Sequence, residues 1–157
     1  MSAPVFFRAG VGIIVRNGAG LVLALERSDV AGSWQAPQGG IEAGESPEQA
    51  ASRELFEEAG IRWEEASRVS QHPEWLTYEL PPSARSAKTG LGQTQRWFLV
   101  DYDGPIDESL VRQGKEFVDY QWMPMTTLIA STWPPRQRVY LQLLQHWQTQ
   151  LVDGVDR

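Results

Sequence analysis

From Gly39 to Ile61 the chain runs Gly39, five residues, Glu45, seven residues, then Arg53-Glu54-Leu55-Phe56-Glu57-Glu58-Ala59-Gly60-Ile61. Three carboxylates and an arginine crowd into six residues just behind a glycine turn. Ser46 is a capping residue, Pro47 suits a first helical turn, and Gln49 can close a capping box back onto Ser46. Gly60 is a helix stop for the left-handed position. The spacing therefore predicts a helix over Pro47 to Ala59 that carries the acidic group.

At about 100° per residue, Ala51, Leu55 and Ala59 share one row, flanked by Ser52 and Phe56, and this arc is expected to face the core. Glu54, Glu57 and Glu58 fall on the neighbouring arc, so Glu54–Glu57 and Glu54–Glu58 are like-charge neighbours. Each such pair costs a few tenths of a kcal/mol on an isolated helix, and the dipole near the C-terminal end opposes them as well. A hard divalent cation reverses both penalties. Arg53 can hold Glu57 one turn later or Glu45 in the preceding loop, which makes it a structural fork and Glu45 an orienting partner. Gly39-Gly40 lets the backbone approach closely, so a carbonyl there is a candidate for the metal shell. An acidic helix face is ordinarily solvated surface. Seven fixed residue types at set offsets, however, arise by chance on the order of 10⁻⁸ per starting position at average residue usage.

At 157 residues the chain is read as a single domain over 1–157, large enough for a hydrophobic core. Val11–Val15 and Leu21–Leu25 flank Asn17-Gly18-Ala19-Gly20, a hairpin signal. Further strands are expected at Ser67–Gln71, Trp75–Leu80, Gln95–Tyr102 and Phe117–Pro124, with a last helix from about Pro135 to Gln150. Pro81 to Gly92 is a polar loop of functional length that carries Arg85 and Lys88. Of the seven tryptophans most are expected to pack in the core, with one or two free to stack on a base. The absence of cysteine excludes disulfides and thiolate metal sites and fits the cytoplasm. No apolar run is long enough to cross a bilayer, and Met1-Ser2-Ala3-Pro4 does not open a signal sequence. A net charge of −6 argues against general nucleic-acid binding, so an anionic substrate must be met locally by metal and a few Arg or Lys. No DNA and no membrane partner is expected, and the chain is read as a monomer or small homo-oligomer.

These residues resemble the signature of the Nudix hydrolases, Gly-x5-Glu-x7-Arg-Glu-U-x-Glu-Glu-x-Gly-U, with Leu55 and Ile61 at the bulky apolar positions U. Ser33 to Ile41, Trp75 to Pro81, Gly92 to Phe98, and Glu116-Phe117 ahead of Trp122 are similar to the bacterial RNA pyrophosphohydrolase and dinucleoside polyphosphate hydrolase subgroup. The resemblance implies an α/β fold, a Nudix-type α/β/α sandwich with a mixed β-sheet between helices. It implies Mg²⁺ or Mn²⁺ as cofactor and hydrolysis of phosphoanhydrides in dinucleoside polyphosphates or at the 5′-triphosphate end of RNA. Glu54, Glu57, Glu58 and Glu116 are then the catalytic and metal-binding residues, with Gly39 as a backbone ligand and Arg53 in support; Gly39, Glu45, Arg53 and Gly60 form the structural frame. Arg8, Arg27, Tyr78, Arg85 and Lys88 are the candidate substrate contacts, ahead of Arg96, Arg136 and Arg138. Glu57 and Glu116 both qualify as general base. His72 and His146 read as isolated structural or surface residues.

Two departures stand out. Ala36 occupies a position where that subgroup carries Phe, which is expected to loosen a wall near the glycine turn, and the C-terminus Leu151 to Arg157 lacks a basic region. Both favour a small nucleotide over RNA. A non-catalytic nucleotide-binding regulator and a housecleaning nucleoside triphosphate pyrophosphatase are the competing readings.

Overall fold

The computed structural model describes residues 5–113 and 115–152. The expectations placed on Met1-Ser2-Ala3-Pro4 and on the acidic end Asp153 to Arg157 lie outside the described residues. Among the described residues, apolar runs buried on both faces build a mixed eight-stranded sheet around two long neighbours, β1 (Phe7–Arg16) and β7 (Gly92–Asp101), which run parallel from Phe7↔Gly92 to Arg16↔Asp101. The other strands are β2 (Val22–Arg27), β3 (Trp34–Gln35), β4 (Gln38–Gly40), β5 (Ser67–Gln71), β6 (Leu76–Glu79) and β8 (Phe117–Met123). β2 reaches β1 at its C-terminal end through Arg16↔Val22, while β4 pairs with the first half of β1 through Val11↔Gly39. That split places the glycine pair in the middle of the sheet.

Both faces of the sheet are covered. On one, Val11, Ile13 and Val15 of β1 and Phe98 and Val100 of β7 pack against α1 (Pro47–Ala59), with α2 (Glu108–Val111) alongside. On the other, Ile14, Trp97 and Leu99 meet α3 (Met125–Ser131), α4 (Pro134–His146) and α5 (Gln148–Val152). This period-two division of one strand between two cores is what a sheet between helix layers requires. Trp97 lies across Gly12, where a methyl group would overlap its indole.

The acidic helix keeps its expected bounds. Ser46 accepts from the Gln49 N–H, Gln49 returns the bond to the Ser46 N–H, and Gly60 closes the helix at φ 70°. Its buried face differs from expectation: Ala50, Ala51, Leu55 and Ala59 are buried, whereas Phe56 is 48% exposed and lies against the Arg62 guanidinium. The sheet lies nearer the Ala50–Glu58 side, and Glu58 goes inward in place of Phe56. The last helix is broken at Trp147, and α2, α3 and the short strands β3 and β4 were not predicted. Ala36 opens no gap; it is fully buried, and its N–H donates to the Tyr140 hydroxyl at 3.0 Å. His72 and His146 are not isolated, since their rings lie 4.4 Å apart beside Trp147, on the side of the sheet opposite α1. Among the described residues no helix is long and apolar enough to cross a membrane.

Candidate active site

Arg53 organises the glycine turn. Its guanidinium grips Glu45 with two bonds of 2.7 and 2.9 Å, donates to the Gly40 carbonyl at 2.8 Å and to Glu54 at 2.7 Å, and reaches Glu57 at 3.4 Å. Glu45 also accepts from the Glu42 N–H at 3.0 Å. The Arg53 bonds, with that N–H, hold the Glu45 carboxyl down at about 2. A planar fork is needed for this geometry, because one ammonium could not serve both Glu45 oxygens and the carbonyl in these directions. Gly39 sits under the Glu54 carboxyl, where any side chain would overlap it, and Gly40 sits likewise under the Arg8 guanidinium. The glycine pair is therefore a matter of space as well as backbone freedom.

The carboxylates differ in setting. Glu58 is 5% exposed; one oxygen accepts from the Gln38 N–H at 2.9 Å, and the other is sealed from solvent with no partner among the described residues. Burial, then the charge of Glu116, pushes its pKa well above the usual 4.5, with Glu54 and Glu57 adding to the effect. Glu54 is also pushed up by burial, against the pull of Arg53. Glu57 is exposed apart from its contact with Arg53. Glu116 stands on the approach to β8, fixed there by the bond from the Ser28 N–H to its carbonyl at 2.9 Å; burial raises its pKa and Arg27 opposes the shift.

Glu54, Glu57, Glu58 and Glu116 line one recess of about 170 Å³ with Lys115 and Phe117. Glu116 also lines the adjoining cleft of about 270 Å³, which contains Arg8, Arg27, Gly39, Gln38 and Arg136. Among the described residues no three acidic or imidazole groups converge into a ready-made cage, since Arg53 draws Glu54 and Glu57 to itself. The donor set nevertheless fits a hard divalent cation. It is all oxygen, its members raise one another's pKa, and the sealed oxygen of Glu58 lacks the partner a buried carboxylate requires.

The fold thus brings Arg8 and Arg27 to the cleft beside Gly39 and Glu116. It does not bring Arg85 or Lys88 there: Arg85 donates to the Leu80 carbonyl at 2.9 Å, and Lys88 is exposed on a turn held by Ser86 and Thr89. Tyr78 is buried and lines a neighbouring cavity of about 410 Å³. Arg96 donates to the Pro73 carbonyl at 3.1 Å and lies over the exposed Trp75. Sequence reasoning missed Lys115, Gln38, Asp29 and Trp133 as cleft residues; only Lys115, next to Glu116, carried a local signal.

A helix that presents its glutamates beside an arginine-lined cleft, on a mixed sheet covered by helices on both faces, defines the class of α/β/α hydrolases for anionic substrates. The NUDIX domain matches residues 6–144. The chain is 38% identical over 150 residues to an RNA pyrophosphohydrolase of Cereibacter sphaeroides, covering 92% of this chain and 93% of that one. It is 34% identical over 161 residues to Nudix hydrolase 25 of Arabidopsis thaliana, covering 96% and 91%. The structure of the E. coli dihydroneopterin triphosphate pyrophosphohydrolase shares the fold with a TM-score of 0.70 at 24% identity, over 90% of this chain and 99% of that one. The chain belongs to the Nudix hydrolase family, whose members depend on divalent metal.

Proposed function

We propose that this protein acts as a single-domain, cytoplasmic, Mg²⁺- or Mn²⁺-dependent pyrophosphohydrolase that removes pyrophosphate from the 5′-triphosphate end of RNA. The observation that carries the reading is the position of Glu116, which joins the glutamate recess to a cleft lined by Arg8 and Arg27. Relatives at this level of identity, named RNA pyrophosphohydrolase, support the substrate.

Glu54, Glu57, Glu58 and Glu116 would hold the cation. When bound, it supplies charge neutralisation and Lewis acidity for the phosphate oxygens. Arg8 and Arg27 bind the polyphosphate and fix it for in-line attack, which contributes through orientation and electrostatic stabilisation. Arg53 keeps Glu45, Glu54 and the Gly40 carbonyl in register and touches no reacting atom. Glu116 takes the proton of the attacking water, because it lines both the glutamate recess and the arginine cleft and so stands where the two meet.

Dinucleoside polyphosphates are the second reading, favoured by the acidic net charge of −6. Incubation with triphosphorylated RNA, diadenosine tetraphosphate and nucleoside triphosphates, each with Mg²⁺ and with Mn²⁺, separates them. Pyrophosphate release with a 5′-monophosphate RNA product is expected to be fastest. A faster turnover of diadenosine tetraphosphate would transfer the assignment, and no turnover of any of the three would reject it.

A further inference from the structure

Arg136 is the sole buried cation among the described residues, 6% exposed, in the first turn of α4. Its guanidinium lies near two aromatic rings, 5.8 Å from the centre of Tyr78 and 5.4 Å from that of Trp133. Nε donates to the Tyr78 hydroxyl at 3.3 Å and Nη1 to the Gln35 side-chain oxygen at 3.0 Å. Both partners are neutral. Arg16, Arg27, Arg53, Arg68 and Arg112 each pair with a carboxylate, and Arg136 pairs with none among the described residues.

A guanidinium cannot shed its charge on burial, so it needs a compensating anion or a large set of donors and acceptors around it. Aromatic faces offset part of the loss. The helix adds to the deficit, since a cation at an N-terminal turn opposes the dipole. Asp29 and Glu116 feel the charge of Arg136 at a distance, but Asp29 is already held by Arg27 at 2.7 and 2.8 Å. Nη2 has no hydrogen bond within the described chain and is not sealed from solvent. Arg136 also forms part of the wall common to the Arg8–Arg27–Glu116 cleft and the Trp133–Tyr78 cavity.

We propose that Arg136 is a phosphate-binding residue of this site, and that its absent counter-ion is an oxyanion of a nucleoside polyphosphate lying between the glutamate recess and the Trp133–Tyr78 cavity. The inference rests on the reading of the glutamate cleft as a polyphosphate site. Gln35 and the two rings position the fork, so that Nη2 meets the ligand without rearrangement. An arginine whose role was only to fasten β3 and β6 to α4 would instead be indifferent to ligand.

Three variants test it, with melting temperature read alone and with the β,γ-methylene analogue of ATP and Mg²⁺, and analogue binding read by calorimetry. Arg136→Met removes an unpaired buried charge but leaves the Gln35 oxygen without its donor, so its melting temperature is expected to change little, while it binds the analogue about tenfold or more weakly. Gln35→Glu places a carboxylate where the Gln35 oxygen now stands; it is expected to melt higher and also to bind about tenfold more weakly, because the counter-ion is now internal. Arg136→Lys keeps the charge, loses the fork and is expected to bind the analogue with an affinity between those of the parent and Arg136→Met. Analogue binding within about twofold of the parent in Arg136→Met or in Gln35→Glu overturns the proposal. If Arg136→Met does not fold, Gln35→Glu alone decides by the same readout. A parent that binds the analogue through Arg136 yet hydrolyses no polyphosphate would reject the proposed activity and leave the phosphate contact standing.

Discussion

Replacing Glu58 by Gln removes a charge from a place where the metal-free protein cannot easily hold it. One oxygen of Glu58 keeps its acceptor role toward the Gln38 N–H in either side chain, and the second has no partner among the described residues. In the unfolded chain Glu58 titrates near 4.5, while in the native protein its pKa lies well above that. Between those two values the native state holds one more proton than the unfolded state. Stability from this group is thus fully present at the acid end and falls as pH rises, by about 1.4 kcal/mol per pH unit while the native carboxyl stays protonated. For a chain of 157 residues that corresponds to about 3–6 °C in melting temperature per pH unit. An unpaired amide in Glu58→Gln costs about 1–3 kcal/mol, but it does so at every pH. The assay is thermal or urea unfolding in EDTA from pH 5 upward. The parent should lose stability with pH more steeply than the variant, by up to that slope, and saturating Mg²⁺ should flatten the parent and leave the variant nearly unchanged. Parallel profiles for the two proteins in EDTA would refute the claim that Glu58 is held against its own charge.

Three other outcomes follow from the same geometry. Gly39→Ala places a methyl group in the volume of the Glu54 carboxyl, so turnover should drop by about tenfold or more through displaced ligand geometry, with a rise in the Mg²⁺ needed for half-maximal rate as the check. Arg53→Lys keeps one charge and loses the fork on Glu45, Glu54 and Gly40; kcat should fall with little change in KM, measured by steady-state kinetics. Gly12→Ala drives a methyl group into the buried Trp97 indole on the face opposite α1, and chemical denaturation should show about 1–3 kcal/mol of lost stability with metal affinity retained.

Legibility in the sequence tracked the range of the interactions. The bounds of α1 could be read because its cap, first-turn proline and terminal glycine act within a few residues. Its facing could not be read as well. Phe56 has the hydrophobicity of a core residue, yet the sheet meets the helix on the Ala50–Glu58 side, and only the strand arrangement sets that side. The strands β3 and β4 owe their existence to β2 and β1 rather than to any alternation of their own. The site divided in the same way. Arg53 and Glu45 are eight residues apart, close enough for the sequence to suggest the pair, whereas Arg136 meets Gln35 across 101 residues and nothing local marks it among the other arginines. Arg85 and Lys88 sit on a long polar loop that looked suited to phosphate, but the loop folds back on Leu80 and its own hydroxyls.

Under the proposed function, Glu54, Glu57, Glu58 and Glu116 together hold a divalent cation. Mn²⁺ titration followed by electron paramagnetic resonance tests it directly, comparing the parent with Glu57→Gln and with the combined Glu54→Gln/Glu57→Gln/Glu58→Gln protein. The account predicts bound Mn²⁺ in the parent, affinity reduced about tenfold or more in the single variant, and no specific binding in the triple variant. Mn²⁺ held with equal affinity by all three proteins, or by none of them, would contradict it.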